Sequence, residues 1–186
     1  GGNPHIHLDP RNIAKVAAAL GERMAQIDAG DADGYRQRVK NFLERWQQVG
    51  ETLRYYNSLP PALSEMAILV TARHTSCQYE WIAHEPHARK GGLPDAIIEA
   101  IRHGKRPSFD DKNADAEAVY DYCIEAHEKH FVSDATYKAV LDRFGEQGVM
   151  DLIAVNGYYS LVSFLLNVDK TPLPADVAPA LKPLRK

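Results

Sequence analysis

Apolar residues in this chain recur at helical spacing along nearly its whole length, while runs alternating at the period of a strand are almost absent. The clearest stripe is "YRQRVKNFLERWQQVGETLRYY" at 35–56, where Val39, Phe42, Leu43, Trp46, Val49 and Leu53 share one face. Breakers and caps divide the rest. Asp9, with Pro10 at the first helical position, opens a helix over about 10–28, and "GDADG" at 30–34 ends it. "NSLPPALSEM" restarts the chain, with Ser58 as a cap and prolines tolerated in a first turn. A strongly apolar helix is expected at 61–74 and another at 76–90, stopped by Gly91-Gly92. Pro94 opens the next, which stops at Gly104, and helices follow at 114–130, 134–144 (capped by Ser133) and 147–166. The fold class is therefore all-α. The very short link between 61–74 and 76–90 makes those two an antiparallel hairpin.

Composition narrows the function classes. A chain of 186 residues can bury a substantial core as one domain. Its net charge of −3 exerts no general pull on nucleic acid or anionic lipid. The longest apolar run, "LIAVNGYYSLVSFLL", is interrupted by Asn156 and Gly157 and falls short of the ~18 residues of a membrane span. The opening "GGNPHIHLDPR" has no basic region followed by an apolar stretch, so no secretory signal is expected. Cys77 and Cys123 make no disulfide framework, which suits a reducing cytoplasm. The expectation is a cytoplasmic protein without nucleic-acid or membrane partners. Its tail, "DKTPLPADVAPALKPLRK", either packs as an extended arm or stays mobile.

Chemistry concentrates in "TSCQYEWIAHEPHARKGG" at 75–92. Thr75 and Gln78 match a capping box, which puts Cys77 in a first helical turn where free N–H groups and the helix dipole stabilise a thiolate. Glu80 lies three residues on and His84 four more, near one face. Cys77 and His84 are two turns apart, roughly 10 Å of rise. In the hairpin, position 65 falls opposite about 84–86, so Glu65 can approach His84. Two carboxylates beside one imidazole favour the imidazolium and raise its pKa, giving a proton donor and acceptor.

Each residue also has a plain reading. Cys77 could be a small buried hydrophobe. Glu80 and His84 could be a surface pair worth ~0.3–0.5 kcal/mol. Glu65 could be a solvated carboxylate helped by the dipole. Arg73, near the turn, could hold a substrate carboxylate or be solvated. His74 and His87 are near the cluster and are more simply structural, and Cys123 is most simply core. His127 and His130, with Glu128, miss the i,i+4 spacing of a zinc helix. No Gly-rich phosphate loop or Ser-His-Asp pattern is present.

The segment "LPPALSEMAILVTARHTSCQYEWIAHEPHARKGGLPDAIIEAI" resembles the carboxymuconolactone decarboxylase family, which includes the alkylhydroperoxidase D-like proteins. The resemblance rests on a Leu-Pro start, a Glu early in an apolar helix, Cys-x-x-Glu-x-x-x-His, an Ala-Arg pair and Gly-Leu. A weaker likeness continues in "SDATYKAVLDRFGEQGVMDLIAVNGYYSLVSFLLN". It implies an alkylhydroperoxidase D-like helical bundle over 58–168, with a helical extension at 1–57 and a Pro-rich arm at 169–186, all one domain.

The family divides at Glu80. Alkylhydroperoxidase D-like members carry Cys-x-x-Cys-x-x-x-His with a glutamate twelve residues before the first Cys; Glu65, Cys77 and His84 keep that frame, and Glu80 replaces the second thiol. Decarboxylases carry Glu-x-x-x-His, which Glu80 and His84 match, and generally lack the cysteine. The resemblance implies a cofactor-independent lyase of aromatic catabolism that releases CO2 from a carboxylated lactone or related small acid. His84 would be the general acid/base, with Glu65 and Glu80 orienting it. A single-cysteine thiol-dependent peroxidase using Cys77, resolved by an external thiol or by Cys123, is the alternative; a non-catalytic helical oligomer is the third. Family resemblance also implies a homo-oligomer, a trimer or hexamer.

Overall fold

The computed structural model describes residues 10–182, leaving aside the side chains of 10–16, 46, 47 and 55. The Asp9 cap, the Trp46 member of the stripe and the last residues of the arm lie outside the described residues. Among those described, the fold is all-α: α1 (Pro10–Ile27), α2 (Ala32–Tyr55), α3 (Pro61–His74), α4 (Gln78–Lys90), α5 (Asp95–Arg102), α6 (Ala114–Lys129) and α7 (Asp134–Asp169).

The apolar run of α3 explains its place. Its residues from Leu63 to Arg73 are all buried, because α4, α5, α6 and α7 pack around it on every side. Met66, Ile68 and Leu69 meet Trp81 of α4, Ile97 and Ile98 of α5, Val119 of α6 and Leu152 and Val155 of α7 in one core. α1 and α2 pair with each other and meet this bundle mainly through α7, with Arg54 of α2 also reaching α3. The α2 stripe is only partly covered: Val39, Leu43 and Leu53 are half-buried, while Phe42 and Val49 are exposed.

The two helices expected at 134–144 and 147–166 meet in α7 at a kink. Gly145 sits there with φ 68° and ψ −176°, a conformation open to glycine and strained for other residues. α7 is long and apolar enough to cross a membrane by length and composition alone. Its apolar face, with Val140, Leu152, Val155 and Tyr159, is instead covered by the rest of the bundle.

Two expected caps are absent. Ser58 does not cap α3, since its N–H and hydroxyl both donate to Asp151 of α7, at 2.7 and 2.6 Å. Gln147 donates to the other Asp151 oxygen at 2.9 Å, so this buried carboxylate ties the entry of α3 to α7. Thr75 does not open α4 either; it closes α3, and its hydroxyl reaches back to the Thr71 carbonyl at 2.9 Å. Cys77 N–H bonds the Ala72 carbonyl at 2.8 Å and Ser76 N–H the Arg73 carbonyl at 3.1 Å, the paired bonds of a Schellman ending. Ser76 takes the left-handed position usually given to glycine, with φ 54°. This tight reversal produces the α3–α4 hairpin. Ser133 does cap α7, accepting from the Thr136 N–H.

Candidate active site

The hairpin register brings Glu65 and His84 together. His84 Nδ1 lies 2.7 Å from Glu65 Oε2, and Arg54 of α2 approaches Oε1 at 3.4 Å. Both members of the pair are buried. Burial pushes the Glu65 carboxyl up, but the His84 hydrogen bond and the nearby Arg54 outweigh it and hold the group below its usual value. For His84 the balance is reversed. Burial pulls its pKa down, and the opposing pull of Glu65 does not overcome it. The imidazole is therefore neutral at neutral pH, donating through Nδ1 to a carboxylate. The imidazolium expected from the sequence is not the resting form, because desolvation outweighs the added charge.

Glu80 does not join this pair. Its Oε1 accepts from the Ser163 hydroxyl of α7 at 2.9 Å, and Oε2 is buried without a hydrogen-bond partner. Burial drives its pKa up to about 8, with Ser163 opposing, so Glu80 is a neutral carboxylic acid at neutral pH. Thr75 completes a small polar chain, its Oγ1 2.9 Å from Ser163 Oγ.

Cys77 is the N-cap residue of α4 rather than a first-turn residue, and it is 1% exposed. Burial drives the thiol up to about 11; hydrogen bonds from the Glu80 and Tyr79 backbone only partly oppose this. A helix N-terminus stabilises a thiolate by a modest amount, and here burial exceeds it. Cys77 is thus a thiol, contrary to the expected thiolate. Cys123 packs in the core beside Asn156, while Cys77 is beside Ser163. Those α7 positions are seven residues apart, about 10 Å along the helix, so the cysteines are not a disulfide pair.

A cavity of about 580 Å³ opens on the Glu65 side, lined in part by Arg54, Asn57, Ser64, Glu65, His87 and Lys90. Glu65 is the catalytic candidate that lines it; Cys77, Glu80 and His84 lie behind. Arg73 is elsewhere, lining a separate cavity between α3, α5 and α6. It is buried, against the solvated alternative, and does not face the Glu65–His84 pair. His87 is a cavity wall and His74 stacks on His127, their ring centroids 4.9 Å apart. Among the described residues, no group of three His, Cys, Asp or Glu side chains is placed to hold a metal ion.

Sequence reading missed Arg54, Tyr159 and Ser163. Tyr159 stands edge-on to His84, with centroids 4.9 Å apart, and walls it from α7. Tyr159 and Ser163 are four residues apart, so one face of α7 backs the whole site. The available signal was a pair of hydroxyl-bearing residues at helical spacing inside an apolar run. Arg54, beside the Glu65 start of α3, carried no local signal.

Comparison with known families gives two matches. A sequence model of the carboxymuconolactone decarboxylase family matches residues 40–122, which contain α3, α4 and α5 with Glu65, Arg73, Cys77, Glu80 and His84, but not Tyr159 or Ser163 of α7. A model described as "zinc-uptake complex component A periplasmic" matches residues 1–75. The two overlap at 40–75, where α3 is the centre of the bundle that carries Glu65. No curated protein matches the chain.

Proposed function

We propose, from the match of residues 40–122 to the carboxymuconolactone decarboxylase family, a cofactor-independent decarboxylase acting on a carboxylated lactone or related small acid. The supporting observation is the Glu65–His84 hydrogen bond of 2.7 Å set in the wall of a cavity that also presents Arg54 and Lys90. Those two cations attract an anionic substrate. Decarboxylation breaks the carbon–carboxylate bond, and its electron pair enters the conjugated lactone. CO2 leaves, and the carbon that accepts the charge takes one proton. The resting pair, a neutral His84 beside an ionised Glu65, takes up one proton from solvent. It delivers that proton to the carbon through Glu65, the member that meets the cavity, and so returns to its resting state after each turnover.

The peroxidase alternative asks more of the same residues. Cys77 would have to attack peroxide as a thiolate, yet it is a buried thiol with its pKa at about 11. The exposed Ile153, Leu161 and Phe164 of α7 fit the proposed homo-oligomer.

The test is CO2 release from carboxylated lactones, alongside thiol-dependent peroxide consumption. Wild type should release CO2, and His84→Gln should lose 10²–10⁴-fold in rate, the usual contribution of a positioned acid or base. Cys77→Ser should stay within a few-fold of wild type. Peroxide turnover that vanishes in Cys77→Ser, without CO2 release from any lactone, would replace this reading by the alternative.

A further inference from the structure

Arg73 ends the buried run of α3 with 4% of its surface exposed, and its Nε and Nη1 have no hydrogen-bond partner. A guanidinium stays protonated in proteins, so a buried one without a counter-ion is costly. Nearby arginines avoid that cost. Arg106 is paired with Asp121 and Glu117, and Arg102 with Glu85 and Glu99. Arg73 has no such pair. It faces a cavity of about 260 Å³ whose walls include Val70, Ile101, Ile124, Tyr120 and Glu128.

We propose that this cavity binds a small monocarboxylate with an apolar body, its carboxylate pairing with the Arg73 guanidinium. The inference is independent of the decarboxylase reading, since no residue of the Glu65–His84 site lines this cavity. A carboxylate matches the planar guanidinium in shape and charge. Val70, Ile101, Ile124 and the Tyr120 ring supply the apolar surface for the rest of the ligand. Glu128 puts a negative charge on the same wall, while Arg106, the second cation, is already neutralised. The cavity as a whole therefore carries no surplus positive charge and the cation is local to the Arg73 guanidinium, which favours a single carboxylate over phosphate or a dicarboxylate. The volume lies just below the range of drug-sized sites, so the ligand is small.

Calorimetry and thermal melts of the full chain with benzoate test this, against uncharged benzyl alcohol and inorganic phosphate. Benzoate should bind at one site per chain and raise the melting temperature by about 3–6 °C at ten times its dissociation constant. Benzyl alcohol and phosphate should bind at least tenfold more weakly. Arg73→Met should lose at least tenfold in benzoate affinity while melting no lower than wild type without ligand, because an unpaired buried charge has been removed. Ile124→Phe, which fills the cavity from a half-buried position, should also block benzoate and keeps the test decisive if Arg73→Met fails to fold. His84→Gln should bind benzoate like wild type, and Glu128→Gln should bind it more tightly. The proposal fails if benzoate does not bind, if phosphate binds as well, or if Arg73→Met and Ile124→Phe bind it unchanged. It also fails if Glu128→Gln lowers the melting temperature and Arg73→Met added to it restores the loss, for then Glu128 is the counter-ion.

Discussion

Glu80 and His84 stand one turn apart on α4, and both are buried, yet their surroundings give them opposite proton chemistry. His84 faces across the hairpin to a carboxylate that opens on a cavity. Glu80 faces α7, where a single hydroxyl meets one oxygen and nothing meets the other. The first setting yields a neutral base beside an anion. The second yields a neutral acid beside a neutral thiol. Burial dominates at both and favours the uncharged form, which is the acid for a carboxyl and the base for an imidazole; the Glu65 charge opposes that effect at His84 without overcoming it. The Cys-x-x-Glu-x-x-x-His stretch is thus divided into a sealed half at Cys77 and Glu80 and a half at His84 that communicates with solvent through Glu65.

The contrast predicts stability slopes of opposite sign. The Glu80 carboxyl ionises near 4.5 when unfolded and about 8 when folded. Between those values the folded state holds more protons, so stability present below pH 4.5 is lost as pH rises toward 8, by up to about 5 kcal/mol. Glu80→Gln should abolish this loss and be more stable than wild type at pH 8, as measured by denaturant unfolding across pH. A wild-type profile flat between pH 5 and 8, with Glu80→Gln no different, would show Glu80 ionised and the division false.

Glu65 and His84 should act the other way. Both are held below their unfolded values, so the unfolded chain takes up protons first as pH falls. Their contribution is complete above the unfolded His value of 6.5 and is lost progressively on acidification. Glu65→Gln keeps the shape but removes the anion. Weakening a charge-assisted hydrogen bond in a buried setting should cost about 1–3 kcal/mol at pH 7 and flatten the acid limb. An NMR titration of the His84 ring should show its pKa falling further in Glu65→Gln, because the one charge that raises it is gone. A rise would mean that Glu65 is not the counter-ion of His84.

Much of this geometry was legible in the sequence, and the failures share a cause. The α3–α4 hairpin and the meeting of Glu65 with His84 follow from helical period, a short link and counting residues across it. Those are local quantities. The protonation states of Cys77, Glu80 and His84 were not legible, because they depend on how completely α7 covers them. No local spacing announces that Tyr159 and Ser163, more than seventy residues downstream, form that cover. The capping box at Thr75 and Gln78 failed for a related reason: Thr75 was needed to close α3, and Gln78 was recruited by the C-terminal arm.

That recruitment supports the smallest and most local prediction. Gln78 Nε2 donates to the Leu181 carbonyl at 2.6 Å, and the Leu181 N–H donates to Gln78 Oε1 at 2.9 Å. Leu181 is buried, so the arm is fastened beside the N-terminus of α4 at the residue next to Cys77. The arm therefore packs in this region, as one of the two sequence expectations held. Gln78→Ala removes both bonds at once and should cost about 1–2 kcal/mol. Its sharper readout is Cys77. With its pKa at about 11, the thiol is ionised to only about one part in 10⁴ at pH 7, so alkylation of the native protein should be slow and accelerate tenfold per pH unit. Loosening the arm admits water, which lowers the desolvation that holds the pKa up. Gln78→Ala should then react with iodoacetamide several-fold faster at Cys77, with Cys123 unchanged in the core. Equal acceleration at both cysteines would mean global loosening rather than a local clasp, and the sealed half would owe its closure to α7 alone.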